Sequence, residues 1–357
     1  MRTFGHLLFI LFCVMYSVLS AETVKKLELL SPGKTHEVNF YSKKNISGNN
    51  EFCYSVSFQG KEVLLESKVG LELDNRVWEL ALARKVEQPE SWMDNFEIDS
   101  VSYSSHNSRW TPVYGERSIV VDNYNSGTVY LSKKDGSNYR LNIEVRAYDE
   151  GIAFRYFFPE HPNAIFHKVT GDLTEYTFPD ATKAWSEQWA QGDFEYLDIN
   201  AINHPVERAL TLELSNGLWV ALADADVDDW CLTKYVASEK KRNTLKSVMY
   251  SPVDIVTYYA TPWKIIMAAN KPGKLIEHNY LIENLNPPCE IKNPSWVKPG
   301  KIMRSLISTE AGLATIDFCA EHKISYMLYD WQWYMPCTSH DGDATKVVPH
   351  VDMKKVV

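Results

Sequence analysis

The sequence predicts a mainly β protein, with a large N-terminal β-sandwich followed by the opening of a parallel strand–helix–strand unit. Three observations carry this reading. Apolar and polar residues alternate with period two in segment after segment from about Leu27 to about Leu285. Turn-forming clusters such as KKDGSN and NSG separate those segments. Beyond Gly300 the pattern changes to strand, helix and strand within ~30 residues, the mark of a βαβ crossover.

Taken in order, the chain begins with Arg2, an apolar run from Leu7 to Leu19, and small residues at Ser20 and Ala21. That pattern predicts a signal peptide over 1–21 and export, with the periplasm as the expected compartment. The run is shorter than the ~20 apolar residues that cross a bilayer, and no other segment is a transmembrane candidate. Lipid attachment at Cys13 is disfavoured, because Phe12 stands where a small residue is needed.

The sandwich strands follow. EFCYSVSF puts Phe52, Tyr54, Val56 and Phe58 on one face, LNIEVRAY does the same with Leu141, Ile143 and Val145, and GIAFRYFF with Ile152, Phe154, Tyr156 and Phe158. ALTLELSNGLWVALADA reads as two strands around Ser215-Asn216-Gly217. Many short strands with few helical stretches predict a β-sandwich over 22–285. NPSWVKPGK marks a proline-rich connector over 286–300.

IMRSLIS is then a short apolar strand. EAGLATIDFCAEHK spaces Leu313, Ile316 and Ala320 at helical intervals, ISYMLYDW is a strand again, and VDMKKVV starts another helix. A parallel sheet buries both faces and needs several strands. A (β/α)8 barrel takes about 250 residues, whereas 57 residues follow Gly300. The expectation is the N-terminal part of a longer protein, with 301–357 holding the first two strands of an incomplete barrel.

Composition narrows the function. The net charge of −9 argues against nucleic acid as a partner, because phosphate binding needs a basic face. The 11 Trp and 20 Tyr suit packed β-structure, and they also suit sugar stacking. Cys53, Cys231, Cys289, Cys319 and Cys337 remain after signal cleavage. This odd, widely spaced set fits neither a disulfide framework nor a zinc site, and buried free thiols are expected. GKT at Gly33 lacks the upstream glycine of a phosphate loop. DADVDD from Asp224 lacks the glycine and the glutamate of a calcium loop, and reads as a solvated turn.

Two clusters carry chemistry. Asp330, Trp331 and Trp333 sit at the C-terminal end of the second parallel strand, where a barrel would face its substrate. A carboxylate there can bind sugar hydroxyls and an indole can stack on a ring; a capped strand end with core tryptophans fits the pattern equally well. The second cluster, KAWSEQWAQGDFEYLDI, interleaves Trp185, Glu187, Trp189, Asp193, Glu195 and Asp198 without a clear period, and reads as a long loop.

YDEGIAFRYFFP, RALTLELSNGLWVALADAD, TPWKIIMAANKPGKLIEHNYLIENLNPP, SWVKPGK and ISYMLYDWQWY follow one another in the order and spacing of glycoside hydrolase family 97, which the chain resembles over nearly all its mature length. The resemblance implies an N-terminal β-super-sandwich joined to a catalytic (β/α)8 barrel, and an exo-acting α-glycosidase, an α-glucosidase ahead of an α-galactosidase, acting on oligosaccharides. It implies an active-site calcium ion with Glu195 as the ligand from the sandwich. It implies substrate contacts at Asn216, Asp330, Trp331 and Trp333. The catalytic carboxylates would lie beyond Val357, so neither stereochemical course is legible here. The alternative from another class is a non-catalytic carbohydrate-binding β-sandwich.

Overall fold

The structure is a computed structural model that describes residues 25–161, 165–334, 340 and 342–357. The expected signal peptide lies outside the described residues, as do Cys13 and Cys337. Among the described residues no helix is long and apolar enough to cross a membrane. The chain divides into two units: Met1–Ser108 with Val121–Pro287, and Arg109–Val120 with Pro288–Val357.

The first unit is built around a ten-stranded sheet. Its order runs Glu195–Asp198, Lys183–Ser186, Leu210–Glu213, Trp219–Ala225, Trp263–Ala269, Gly151–Phe158, Arg140–Tyr148, Val120–Lys133 and Phe96–Trp110, with Tyr259–Ala260 added beside Gly151–Phe158. Three smaller sheets complete it. One has four strands, Leu27–Leu30, His36–Lys44, Asn50–Phe58 and Lys61–Val69. The others have three each: Val253–Val256, Phe166–Asp172 and Leu71–Leu73, and Glu175–Thr177, Thr244–Met249 and Thr233–Ala237.

The alternation read from the sequence decides what is buried. Phe52, Tyr54, Val56 and Phe58 are buried, as are Leu141, Ile143, Val145, Ile152, Phe154, Tyr156 and Phe158. They meet in one core drawn from all four sheets. At its centre the Phe40 and Tyr54 rings lie 5.4 Å apart, and both touch Phe154 of the large sheet, at 5.3 and 5.0 Å.

The outer face of the large sheet corrects the reading of this region as β throughout. Pro272–Glu277 and Tyr280–Leu285 are short helices. They cover a second cluster in which Leu275, Leu281 and Leu285 pack on Ala221, Ala223, Ala225 and Ala269. Pro272 opens the first helix, where its missing N–H costs nothing. The strand at Trp263–Ala269 is therefore buried on both faces. Six-residue helices span fewer than two turns, too short for a period of 3.6 to register in the sequence.

Two smaller expectations also need correction. Asp224 is not in a solvated turn. It lies in the strand Trp219–Ala225, and its carboxylate accepts hydrogen bonds from Arg208 and from the Thr233 hydroxyl, the latter at 2.7 Å. The described cysteines are all free, but Cys53 and Cys319 are buried whereas Cys289 is exposed and Cys231 half-buried.

The second unit contains the strand–helix–strand element that the sequence predicts. Ile302–Ser305 and Tyr326–Tyr329 pair in parallel, with Ser305 opposite Tyr329, and the helix Thr309–Glu321 connects them. Ser308 caps that helix by accepting the Ala311 N–H at 3.1 Å. A short helix at Met353–Val356 follows. Tyr329 donates to the Ser308 carbonyl at 2.5 Å and lies so close that a Cβ on Gly312 would stand 1.9 Å from its hydroxyl oxygen. Gly312→Ala is accordingly expected to lower the unit's stability by about 1–3 kcal/mol, more than the ~1 kcal/mol gained in helix propensity. The Tyr329 ring carbon Cζ would also stand 2.8 Å from that Cβ, so Tyr329→Leu, which removes the ring, should recover part of the loss in a thermal melt. A Gly312→Ala variant as stable as the parent would contradict the close approach.

Candidate carbohydrate site

KAWSEQWAQGDFEYLDI is not one long loop. Lys183–Ser186 and Glu195–Asp198 form an antiparallel hairpin at the edge of the large sheet, joined by the loop Glu187–Phe194. Ala184 and Ser186 point inward while Lys183 and Trp185 face out, which sets the register with Trp185 opposite Tyr196. These two rings stack at 4.7 Å and 28°. The Tyr196 hydroxyl donates to Glu213 at 2.5 Å, which raises the phenol above its usual pKa range. The Lys183 ammonium sits 4.9 Å from the same ring. The period was hidden because each strand is only four residues long and the tryptophans continue into the loop.

The loop is pinned from behind. Glu207 N–H donates to the Glu187 carbonyl at 2.9 Å, and Lys234 donates to the Gln188 carbonyl at 2.5 Å while pairing with Glu207 at 2.7 Å. Trp189 and Phe194 are each more than half exposed, and Trp185 and Tyr196 about two-fifths. Glu195 is thus the first residue of an exposed edge strand, flanked by aromatic rings. Among the described residues its carboxylate takes no hydrogen bond or ion pair.

Asn216 lies in the turn between Leu210–Glu213 and Trp219–Ala225, with Gly217 at φ +83° as this turn requires. Its amide is committed locally: Nδ2 donates to the Glu62 carbonyl at 2.8 Å and Oδ1 accepts the Leu218 N–H at 3.2 Å. Glu195 pairs with Ser186, whose neighbour Trp185 pairs with Thr211. Asn216 lies five residues beyond Thr211, so the two residues stand at opposite ends of these strands, roughly 15–20 Å apart at ~3.3 Å per residue. The structure does not bring Glu195 and Asn216 together.

In the second unit, Asp330 directly follows the strand Tyr326–Tyr329 and is half-exposed. Its Oδ1 accepts the Trp331 N–H at 2.8 Å, and its Oδ2 lies 3.3 Å from Arg304 Nε. Arg304 comes from the C-terminal end of the neighbouring parallel strand. It was not singled out from the sequence, although a cation one residue before the end of one strand and an acid one residue after the end of the next is the available signal. The tryptophans separate. Trp331 is 51% exposed, whereas Trp333 packs against the small core of Tyr329, Val351 and Val356. Trp331 is therefore the more exposed of the two indoles, and Trp333 is partly buried against that core.

Calcium takes six to eight oxygen ligands. Among the described residues no group of three or more His, Cys, Asp or Glu side chains converges on a metal position. One exposed carboxylate at Glu195 suits a single ligand and does not make a site. Ser108, His106 and Asp122 resemble a nucleophile–base–acid set, but Ser108 and Asp122 both approach the same ring nitrogen, Nε2, at 2.8 and 3.5 Å. A catalytic triad needs the two partners on opposite nitrogens.

Comparison with known proteins agrees with this architecture. A retaining α-galactosidase from Bacteroides thetaiotaomicron is 23% identical over 406 residues, covering 98% of this chain and 56% of that protein. A glycoside hydrolase family 97 enzyme from Pseudoalteromonas sp. strain K8, solved in complex with panose, superposes with a TM-score of 0.76 at 20% identity, covering 92% of this chain and 51% of that one. A β-arabinopyranosidase superposes with a TM-score of 0.71 at 18% identity, covering 86% of this chain and 51% of that one. The chain thus spans about half the length of these relatives. The profile described as glycosyl-hydrolase 97 N-terminal matches residues 29–288, nearly all of the strand system of the first unit, and so the chain belongs to glycoside hydrolase family 97.

Proposed function

We propose that the whole protein is an exported, periplasmic, exo-acting α-glycosidase that depends on calcium and prefers α-glucosides to α-galactosides. The family membership carries this reading; the choice of sugar and of metal goes beyond it. The paired parallel strands support a barrel continuing from the second unit. Ile302, Met303, Tyr326 and Leu328 all remain substantially exposed on them, and parallel strands are ordinarily buried on both faces.

In this reading Glu195 gives one ligand to the calcium ion, with the remaining ligands from outside the described residues. The ion would neutralise charge near the scissile bond when bound. Trp331 stacks on a sugar ring, and Asp330, held by Arg304, accepts from sugar hydroxyls. Asn216 contacts sugar through what its amide has left over, one N–H and one lone pair. The general acid and its partner carboxylate lie outside this chain.

The test is hydrolysis of aryl α-glucosides and aryl α-galactosides by the whole protein, with and without chelator. Activity on the glucoside that chelation abolishes supports the reading, and inactivity on both substrates defeats it. Glu195→Ala should weaken calcium binding by more than the ~10–100-fold that loss of an outer-shell partner costs, because a direct ligand is removed. Unchanged calcium affinity in calorimetry would remove Glu195 from the site.

A further inference from the structure

The first unit carries an open groove of about 660 Å³ that the family reading does not use. Asp229, Trp230 and Cys231 form one wall, and the edge strand Val253–Val256 with Ser251 and Tyr259 forms the other. Its volume falls within the ~300–1,000 Å³ of small-ligand sites. The Trp230 and Tyr259 rings lie 6.1 Å apart and 19° from parallel. Both are fixed. The Tyr259 hydroxyl donates to the carbonyls of Asp228 and Asp229 at 3.0 and 3.2 Å, and burial together with the Asp229, Asp228 and Asp226 carboxylates pushes its pKa up to about 12, so the phenol stays a donor. Trp230 packs against the main core and also lines a small cavity with Asp172, Asp224 and Lys264. Asp229 holds a left-handed backbone at φ +49°, a conformation that an aspartate tolerates and that recurs at binding sites.

We propose that this groove binds a neutral oligosaccharide. Two rigid aromatic rings give apolar faces for the C–H side of a pyranose. The Asp229 and Asp254 carboxylates and the Ser251 hydroxyl give acceptors for sugar hydroxyls. The lining holds no Lys, Arg or His, so an anionic ligand would meet two carboxylates and no cation. The family reading supplies only the choice of probe sugar.

Cys231 lines the groove and is half-buried, while Cys289 is exposed elsewhere, so thiol alkylation reports the location directly. The whole protein is treated with N-ethylmaleimide on ice, with and without panose, and each cysteine is followed by peptide mass mapping while chromatography verifies that the sugar is intact. At a panose concentration about ten times its dissociation constant, alkylation of Cys231 should slow about tenfold by mass action, and Cys289 should be unaffected. The protection should be lost in Trp230→Ala and in Asp254→Ala, the second being a surface change that leaves the core intact. Equal Cys231 rates with and without sugar, or protection that persists in both variants, overturns the proposal. Hydrolysis is assayed in parallel. Absent protection with intact hydrolysis removes the groove and leaves the glycosidase, and protection without hydrolysis does the reverse.

Discussion

Lys264→Met is expected to destabilise the sandwich unit by about 3–5 kcal/mol, as breaking a buried ion pair from one side generally does. Lys264 lies on a strand buried on both faces, and its ammonium pairs with Asp172. The side chains of the pair are 9% and 2% exposed. The other Asp172 oxygen accepts the Thr174 N–H at 3.0 Å. Removing the ammonium leaves a carboxylate in a space lined by Tyr156, Asp224, Thr233 and Thr261, with room for about one water molecule. Asp224, which lines the same space, is already bound to Arg208. The double variant Asp172→Asn/Lys264→Met carries no orphaned charge and should lose less than the single one. The exposed pair Lys274–Glu277 gives the control, since Lys274→Met should change stability by less than about 0.5 kcal/mol. Urea unfolding decides it, and a Lys264→Met loss below about 1 kcal/mol would mean that water reaches this interior freely.

The second large effect is acid sensitivity above the carboxylate range. His36 and His167 are buried, and burial lowers each pKa from 6.5 to about 4. At His36 the Asp149 charge opposes the shift and His278 adds to it, and Nε2 has no hydrogen-bond partner among the described residues. At His167 the Asn75 amide nitrogen donates to Nδ1 at 2.7 Å, and Asn75 is oriented by accepting the Lys168 N–H at 3.2 Å. Protonation of His167 would set two donors face to face. Both groups stay neutral in the fold while the unfolded chain binds protons below pH 6.5. Their contribution is complete above that value and is lost as pH falls towards 4, by about 3 kcal/mol for each histidine. Stability measured in urea should therefore fall from pH 6.5 downward, with carboxylate protonation adding to the loss below about pH 5. His167→Gln should reduce that fall by about half. An unchanged slope in that variant would show that water reaches the imidazole.

How much of this was legible in the sequence follows from the range of each interaction. The inward faces of Asn50–Phe58, Arg140–Tyr148 and Gly151–Phe158 were readable because period two is a local property of the backbone, and these strands are long enough to display it. The helix Thr309–Glu321 and its flanking strands were readable for the same reason, with Leu313, Ile316 and Ala320 at helical spacing. Asp330 could be placed at a strand end because that position is also local.

What needed the tertiary structure depends on partners far apart in the chain. Asp224 looked like part of an acidic turn until Arg208 and Thr233 were found against it. Trp331 and Trp333 are two residues apart and alike in sequence, and only the packing of Tyr329, Val351 and Val356 draws one against the core and leaves the other exposed. Glu195 and Asn216 share one sheet but stand at opposite ends of its strands, a result of register that no short motif encodes. By itself the sequence determined the inward faces of the longer strands, the strand–helix–strand element and the family, because these are written in local periodicity and in the order of motifs. The tertiary structure decided which charges are buried, which rings are free and which candidate residues stand together, because each of these is settled by long-range pairing and by exclusion of water.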